Sequence, residues 1–315
     1  MFPHRLVLGT ATFGDTVDLD TARRMVDVAL AAGVTSIDTA NGYGKGRSEE
    51  MLAEILQGRH RDVTIATKAG IYAGDAGGAP LLSRNGIRAS IEASLRRLDM
   101  PEVDLYYLHK PDRSVDVAET VAALDELIDE GKIRAIGVSN FSSWQIADVM
   151  TACDAVGAPR PAVAQQMYNL VARRIEGEYV EFAQNRQLTT VVYNPLGGGI
   201  LSGRHRLEEV PDTGRFGSSV LARMYRDRYW NKPVFEAVSA LSDIAVAANV
   251  TLPTLALRWL LSRPGVDAVL LGGSSTKHIE SNIAAAAAGP LTPDVLIACD
   301  AVGKALAGPM PEYNR

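Results

Sequence analysis

Four side chains of this 315-residue chain, Asp38, Tyr43, Lys68 and His109, are of types that together can deliver a proton to a carbonyl oxygen. They stand in the stretches "DTANGYGKGRSEE", "TIATKAG" and "YYLHKPD". A phenol with a pKa near 10 is a poor donor at neutral pH, but a nearby ammonium stabilises the phenolate and lowers that pKa. Lys68 can supply the ammonium, a carboxylate from Asp38 would keep it charged and oriented, and a neutral His109 could donate a hydrogen bond to the substrate oxygen. The set describes a tuned general acid facing a polarised C=O. Singly, each has an ordinary reading: an Asp ends a strand as a turn residue, a Lys reaches to solvent, a His is structural. Their recurrence at the ends of successive strand-like runs carries the argument. A second enzymatic reading makes Lys68 a Schiff-base nucleophile.

Those runs are residues 5–11, 35–40, 63–69, 103–109, 133–139, 162–168, 188–196 and 266–273, eight in all. Helix-period segments lie between them, such as "DLDTARRMVDVALAAG", where Asp20 can cap the start, Met25, Val28, Ala29 and Ala32 share a face, and Gly33 stops the helix. Strands separated by crossover helices pair in parallel, and their apolar character without strict alternation suits a sheet closed on itself. Eight repeats predict a single-domain (β/α)₈ barrel spanning 1–315, in which catalytic groups project from the C-terminal strand ends. Residues 197–233, after the seventh run, are expected to form an elaborated loop on that face, and "LTPDVLIACDAVGKALAG" an extra helix before a polar tail.

Gly42, Gly44 and Gly46 invite a competing reading as a phosphate-cradling loop. A dinucleotide fingerprint needs G-x-G-x-x-G directly after the first strand, with an acid about 20 residues on. Here the spacing is G-x-G-x-G, it follows the second strand, and the next strand ends in Lys68. The glycines are read as a tight turn, with Ser48 starting the helix behind it and Glu49 and Glu50 in its first turn.

With 47% hydrophobic and 22% charged residues the chain is of ordinary globular composition, and a net charge of −5 argues against a nucleic-acid partner. Neither a signal-peptide pattern nor 18 uninterrupted apolar residues appears, so no membrane and a cytoplasmic location are expected. Cys153 and Cys299 read as buried small hydrophobes.

"DTANGYGKGRSEEMLAEIL", "TKAG" and "YYLHKPD" resemble the segments that carry the Asp, Tyr, Lys and His of the aldo-keto reductases. "GKIRAIGVSNFS", "QQMYNL", "YNPLGGGILSGR" and "LLGGSSTKHIESNIAA" resemble further family landmarks, in the same order and over nearly the whole chain. The resemblance implies a barrel that binds NADPH without a Rossmann fold and reduces aldehydes or ketones by direct hydride transfer, with Tyr43 as proton donor.

It implies that Ser139, Asn140 and Gln166 hold the nicotinamide amide and that Tyr193 stacks on the ring. Asn194, Pro195, Leu196, Gly198, Leu201, Gly203 and Arg204 would embrace the pyrophosphate, and Gly273, Ser274, Lys277, His278 and Asn282 the adenosine 2′-phosphate and adenine. "GRFGSSVLARMYRDRYWNKPVFEAV" and the ending "PEYNR" look most like the aflatoxin-aldehyde and succinic-semialdehyde reductase branch. By that likeness Arg215 contacts the cofactor, while Tyr225, Arg228 and Arg315 face a small carbonyl substrate. An arginine fork suits an aldehyde that carries an acid group. Many family members place Arg where this chain has His278, so NADPH is favoured over NADH through Ser274, Lys277, Arg204 or Arg215. The relatives allow a homodimer. Some serve instead as cofactor-sensing channel subunits, an alternative that the start of the chain almost at its first strand argues against.

Overall fold

The computed structural model describes residues 5–308. The eight strands are β1 (Leu6–Gly9), β2 (Ser36–Asp38), β3 (Thr64–Ala69), β4 (Leu105–Leu108), β5 (Ile136–Ser139), β6 (Val163–Met167), β7 (Thr189–Tyr193) and β8 (Ala268–Leu271). They close into a barrel in chain order, and β1 and β8 pair in parallel to seal it. This is the (β/α)₈ architecture expected from the repeat. Every strand is shorter than its apolar run, because ladder pairing stops before burial does. Val103, for example, is fully buried but joins Ile133 only through an isolated bridge.

Two compact units can be distinguished. The first comprises the residues up to Gln166, Ile175–Tyr193 and Gly265–Glu280. It contains the helices α1 (Leu19–Ala31), α2 (Arg47–Ile55), α3 (Arg84–Leu98), α4 (Val117–Asp129), α5 (Ser143–Val156) and α6 (Tyr179–Asn185). Val7, Ala66, Leu105, Tyr107, Val163, Val191 and Ala268 form one buried cluster inside the barrel. Pleating sends every second residue of a strand to the same side. The residues two positions further along those strands, Lys68, His109, Gln165 and Tyr193, therefore form the next layer toward the C-terminal ends.

Several local expectations need correction. Asp18, not Asp20, caps α1: its side chain accepts from the Thr21 N–H, and Asp20 sits in the first turn. The buried face runs through Ala22, Met25, Val26 and Ala29, while Val28 is half-buried and Ala32 exposed. The phase of the inward stripe is set by the barrel wall, and both choices fit a 3.6-residue period. Ser48 does not start α2. It is fully buried, donating to Thr10 and hydrogen-bonded to the Thr39 hydroxyl, and the position before the helix is Gly46 with φ of 92°. Cys153 and Cys299 are buried free thiols, pushed up to about 11 by burial, as expected for inert packing residues.

The second unit comprises Met167–Arg174, Asn194–Pro264 and the residues from Ser281 onward. The segment after β7 is more ordered than a loop: a glycine turn at Gly197–Ser202 precedes α7 (Ala222–Tyr229), α8 (Lys232–Ala247) and α9 (Leu252–Leu261). The helices α10 (Thr276–Ala287) and α11 (Pro293–Ala307) follow β8. Phe216 meets Trp230 and His205 edge-on, with ring centroids 5.1 and 5.2 Å apart, which folds the stretch before α7 back onto its end. Trp259 is fully buried between the guanidinium groups of Arg173 and Arg263, at 4.8 and 5.0 Å from its ring, and Asp300 pairs with both.

The start of α8 is fixed locally. Asn231 Oδ1 accepts from the Val234 N–H at 3.1 Å, and Pro233 occupies the first turn, where no donor is missed. Asn231→Ala is expected to cost about 1 kcal/mol. A lowered urea midpoint with an unchanged denaturant slope would register it.

Candidate active site

Asp38, Lys68 and His109 reach the C-terminal end of the barrel because consecutive parallel strands carry them there. Tyr43 follows from a 3₁₀ turn, Tyr43–Gly46, five residues after β2 ends. Its backbone N–H bonds the Ala40 carbonyl at 3.1 Å, and left-handed conformations at Gly44, Lys45 and Gly46 turn the chain into α2.

Lys68 is completely buried. Its Nζ donates to Asp38 Oδ1, to the Thr39 carbonyl at 2.7 Å and to the Tyr43 hydroxyl oxygen at 3.2 Å. The ammonium lies 4.8 Å from the Tyr43 ring centroid and 5.7 Å from that of Tyr107. The other Asp38 oxygen accepts from Gln165 Nε2 at 2.8 Å. Burial disfavours the charge on Lys68, yet the Asp38 carboxylate and the Tyr43 oxygen outweigh it and hold the ammonium above its ordinary pKa. Burial pushes the Asp38 carboxyl up, against the pull of Lys68 and Gln165. A cation with no exit to solvent is thus aimed at a phenol oxygen.

His109 stands edge-on to Tyr43, with ring centroids 5.9 Å apart and planes at 82°. Burial, reinforced by the Lys68 and Lys110 charges, drives its pKa well below the ordinary histidine value. The ring is therefore neutral at physiological pH, and its Nδ1 is buried with no hydrogen-bond partner among the described residues. Asn140, at φ 62°, donates from Nδ2 to the His109 carbonyl at 2.8 Å and accepts at Oδ1 from the Tyr193 hydroxyl at 2.6 Å. Ser139, buried at the end of β5, accepts from the same Nδ2 at 3.1 Å. These residues form one connected polar layer.

Of the two adjacent glutamines, the pleat turns Gln165 into that layer beside Asp38, while Gln166 lies in the opposite phase and donates to the Phe141 carbonyl at 2.7 Å. Gln165 was missed in the sequence, although neighbouring strand residues must face opposite ways, so one of the pair had to point inward.

At the far end of β8, Gly273 accepts at its carbonyl from the Thr12 hydroxyl at 2.9 Å. His278 curls back toward the start of α10, its Nδ1 accepting from the Ser274 N–H at 3.3 Å. Lys277 is exposed beside it. Asn282, further along α10, is buried.

In the second unit, Asn194 at φ 64° accepts at Oδ1 from the Gly198 N–H at 2.6 Å and donates from Nδ2 to the Tyr229 hydroxyl at 2.8 Å. Pro195 and Leu201 are buried, and Leu196 is half-buried. Gly198 has φ of 71°, and a Cβ there would lie 2.4 Å from the Tyr225 ring, so only glycine fits. Gly203, also left-handed, closes the turn, and Arg204 is exposed. Arg215 lies over the Tyr225 ring at 5.2 Å, with a buried Nη1 that has no hydrogen-bond partner among the described residues. Arg228 is exposed, its guanidinium 3.8 Å from Met167 Sδ. Arg315 lies outside the described residues.

A tyrosine hydroxyl on a buried ammonium beside a neutral histidine, at the mouth of an eight-stranded barrel, invites comparison with known families. The model of the aldo/keto reductase family matches residues 5–304. The chain belongs to the aldo/keto reductase family. Aflatoxin B1 aldehyde reductase member 2 of Homo sapiens is 36% identical over 98% of this chain and 89% of its own length. Aldo-keto reductase family 7 member A3, also of Homo sapiens, is 36% identical over 98% of this chain and 96% of its own length. A probable voltage-gated potassium channel subunit beta of Arabidopsis thaliana is 33% identical over 90% of this aldo/keto reductase and 88% of its own length. Family membership makes this chain an oxidoreductase acting on carbonyl compounds.

Proposed function

We propose that this aldo/keto reductase is an NADPH-dependent aldehyde reductase in which Tyr43 donates the proton. The observation that carries the reading is the fully buried Lys68 ammonium, shared between Asp38 and the Tyr43 hydroxyl oxygen. An aldehyde oxygen within reach of Tyr43 Oη would also meet His109. With no acceptor beside Nδ1 among the described residues, the imidazole proton is better placed on Nε2, where it can donate to that oxygen. As the C=O becomes an alkoxide, Tyr43 passes it a proton and the Lys68 ammonium takes up the phenolate charge, while Asp38 keeps Lys68 in place. Bound NADPH supplies the hydride.

Two features support a dinucleotide phosphate. Arg215 Nη1 is buried without a hydrogen-bond partner among the described residues, a costly state that a phosphate oxygen would relieve. In the turn at 194–204, half-buried Gly198 leaves its backbone uncovered where a Cβ would lie 2.4 Å from the Tyr225 ring. Ser139, Asn140 and Tyr193 would hold the nicotinamide end, whereas Gln166, expected there from the sequence, faces out of that layer onto the Phe141 carbonyl. Ser274, Lys277 and Asn282 would hold the adenosine 2′-phosphate and adenine, with His278 in place of a more usual Arg. Tyr225 and Arg228 are assigned to the substrate, and the exposed Arg228 guanidinium, beside the Met167 thioether, suits an acid-bearing aldehyde.

The test is a panel of semialdehydes, dicarbonyls and aromatic aldehydes assayed with NADPH and NADH in parallel. NADPH-linked turnover of at least one class, exceeding that with NADH, is expected. Tight NADPH binding with negligible turnover across the panel would instead favour a cofactor-sensing regulatory subunit, a reading favoured by the likeness to potassium channel beta subunits.

A further inference from the structure

Behind the proton donor, on the outer side of the barrel wall, lies a buried ion network that the proposed chemistry does not use. Thr67 precedes Lys68 in β3, so the pleat that turns Lys68 inward turns Thr67 outward. Its hydroxyl donates to Glu49 Oε1 at 2.5 Å. Glu49, on α2, is fully buried, and its other oxygen accepts from Arg97 Nε of α3 at 2.8 Å. The rest of that guanidinium forks onto Asp75, with Nη1 and Nη2 at 3.0 and 2.7 Å from the two carboxylate oxygens. Asp75 in turn accepts from Asn41 Nδ2 at 3.1 Å. A Cβ on Gly46 would lie 2.7 Å from Arg97 Nε, so the guanidinium fills the space against that turn.

The network therefore reaches both sides of the proton donor. Asn41 stands two residues before Tyr43 and Gly46 three after it, and Thr67 adjoins Lys68. The Asn41 N–H also bonds the Lys68 carbonyl at 3.3 Å. The 3₁₀ turn has three left-handed residues, and short local hydrogen bonds alone hold its geometry from within. One guanidinium, satisfied in a plane by two carboxylates, fixes its ends relative to β3.

We infer that Arg97 is a positioning residue for proton transfer, clamping the 41–46 turn through Glu49 and Asp75 so that Tyr43 Oη stays on the Lys68 ammonium. The inference rests on Tyr43 being the proton donor. Two variants of the full chain test it: Asp75→Ala, which removes the arm to Asn41, and the pair Arg97→Met with Glu49→Gln, which deletes the bridge together with the fully buried Glu49 charge and leaves Asp75 to Asn41. Steady-state kinetics with an aldehyde that the parent reduces is read beside NADPH affinity by fluorescence quenching and melting temperature, with Tyr43→Phe as control. The clamp predicts a kcat lowered roughly 10- to 100-fold in both variants, while KM and NADPH affinity stay at parental values. A folded Asp75→Ala protein with parental kcat overturns it, even if its melting temperature falls, because that is the pattern of a merely structural network. If the double variant does not fold, Asp75→Ala decides alone. An active Tyr43→Phe protein fails the proton-donor reading itself. An inactive Tyr43→Phe beside a fully active Asp75→Ala fails the clamp only.

Discussion

Tyr43→Phe is expected to lower kcat for aldehyde reduction by roughly 10²- to 10⁴-fold, the usual contribution of a positioned general acid. At about 1.36 kcal/mol per tenfold, that is a loss of roughly 3 to 5 kcal/mol of transition-state stabilisation. The substitution removes one oxygen and little else. The ring remains to meet His109 edge-on and to lie beside the Lys68 ammonium, and Lys68 keeps Asp38 and the Thr39 carbonyl as partners. Folding and NADPH affinity should therefore be nearly unchanged, which makes the kinetic result interpretable. Stopped-flow or steady-state assay with 4-nitrobenzaldehyde or succinic semialdehyde is sufficient, and undiminished turnover would remove Tyr43 from the mechanism.

Lys68→Met should damage both stability and turnover. It removes the cation that opposes the burial of Asp38 while leaving the carboxyl at 1% exposure. Breaking a buried pair by deleting one partner costs about 3–5 kcal/mol, because the surviving charge is uncompensated. The pH dependence carries a definite sign. In the parent, burial already raises the Asp38 carboxyl, and Lys68 and Gln165 pull it back. Without Lys68 it rises further in the folded state, whereas the unfolded chain still ionises near the ordinary carboxylate value. Between the parent's folded value and the higher one of the variant, the variant's folded carboxyl retains a proton that the parent's has released, so the deficit grows as pH rises through that window and is smaller below it. Urea titrations of parent and variant at acid and neutral pH measure it. Adding Asp38→Asn to Lys68→Met should recover much of the stability and none of the activity. Full recovery of turnover in the double variant would contradict the role given to the ammonium.

The barrel was legible because its signal is distributed. Eight apolar runs separated by helix-period segments leave parallel closure as the arrangement that satisfies their backbone groups, and the structure closes them in chain order. Asp38, Lys68 and His109 could be placed because strand ends on one face of a barrel converge whatever the loops do. The corrections fall where local sequence is degenerate. Asp18 and Asp20 are both acceptable caps for α1, and only the packing phase of Ala22, Met25, Val26 and Ala29 against the wall selects Asp18. Ser48 before an acidic pair has the look of a helix start, yet the chain turns so sharply at Gly46 that Ser48 is carried into the interior, onto Thr10 and Thr39.

Residue types and their order by themselves determined the fold class, the convergence of Asp38, Tyr43, Lys68 and His109 at one end of the barrel, and the absence of a dinucleotide fingerprint at Gly42–Gly46. Those rest on periodicity and on chemistry that few residue types can perform. Only the tertiary structure decided that Gln165 rather than Gln166 supports Asp38, that His109 is held neutral by burial and by the Lys68 and Lys110 charges, and that Glu49, Arg97 and Asp75 join behind the Tyr43 turn. Each of these depends on distances between segments tens of residues apart and on exclusion of water. Neither is encoded at any single position, and both appear only once the strands are side by side.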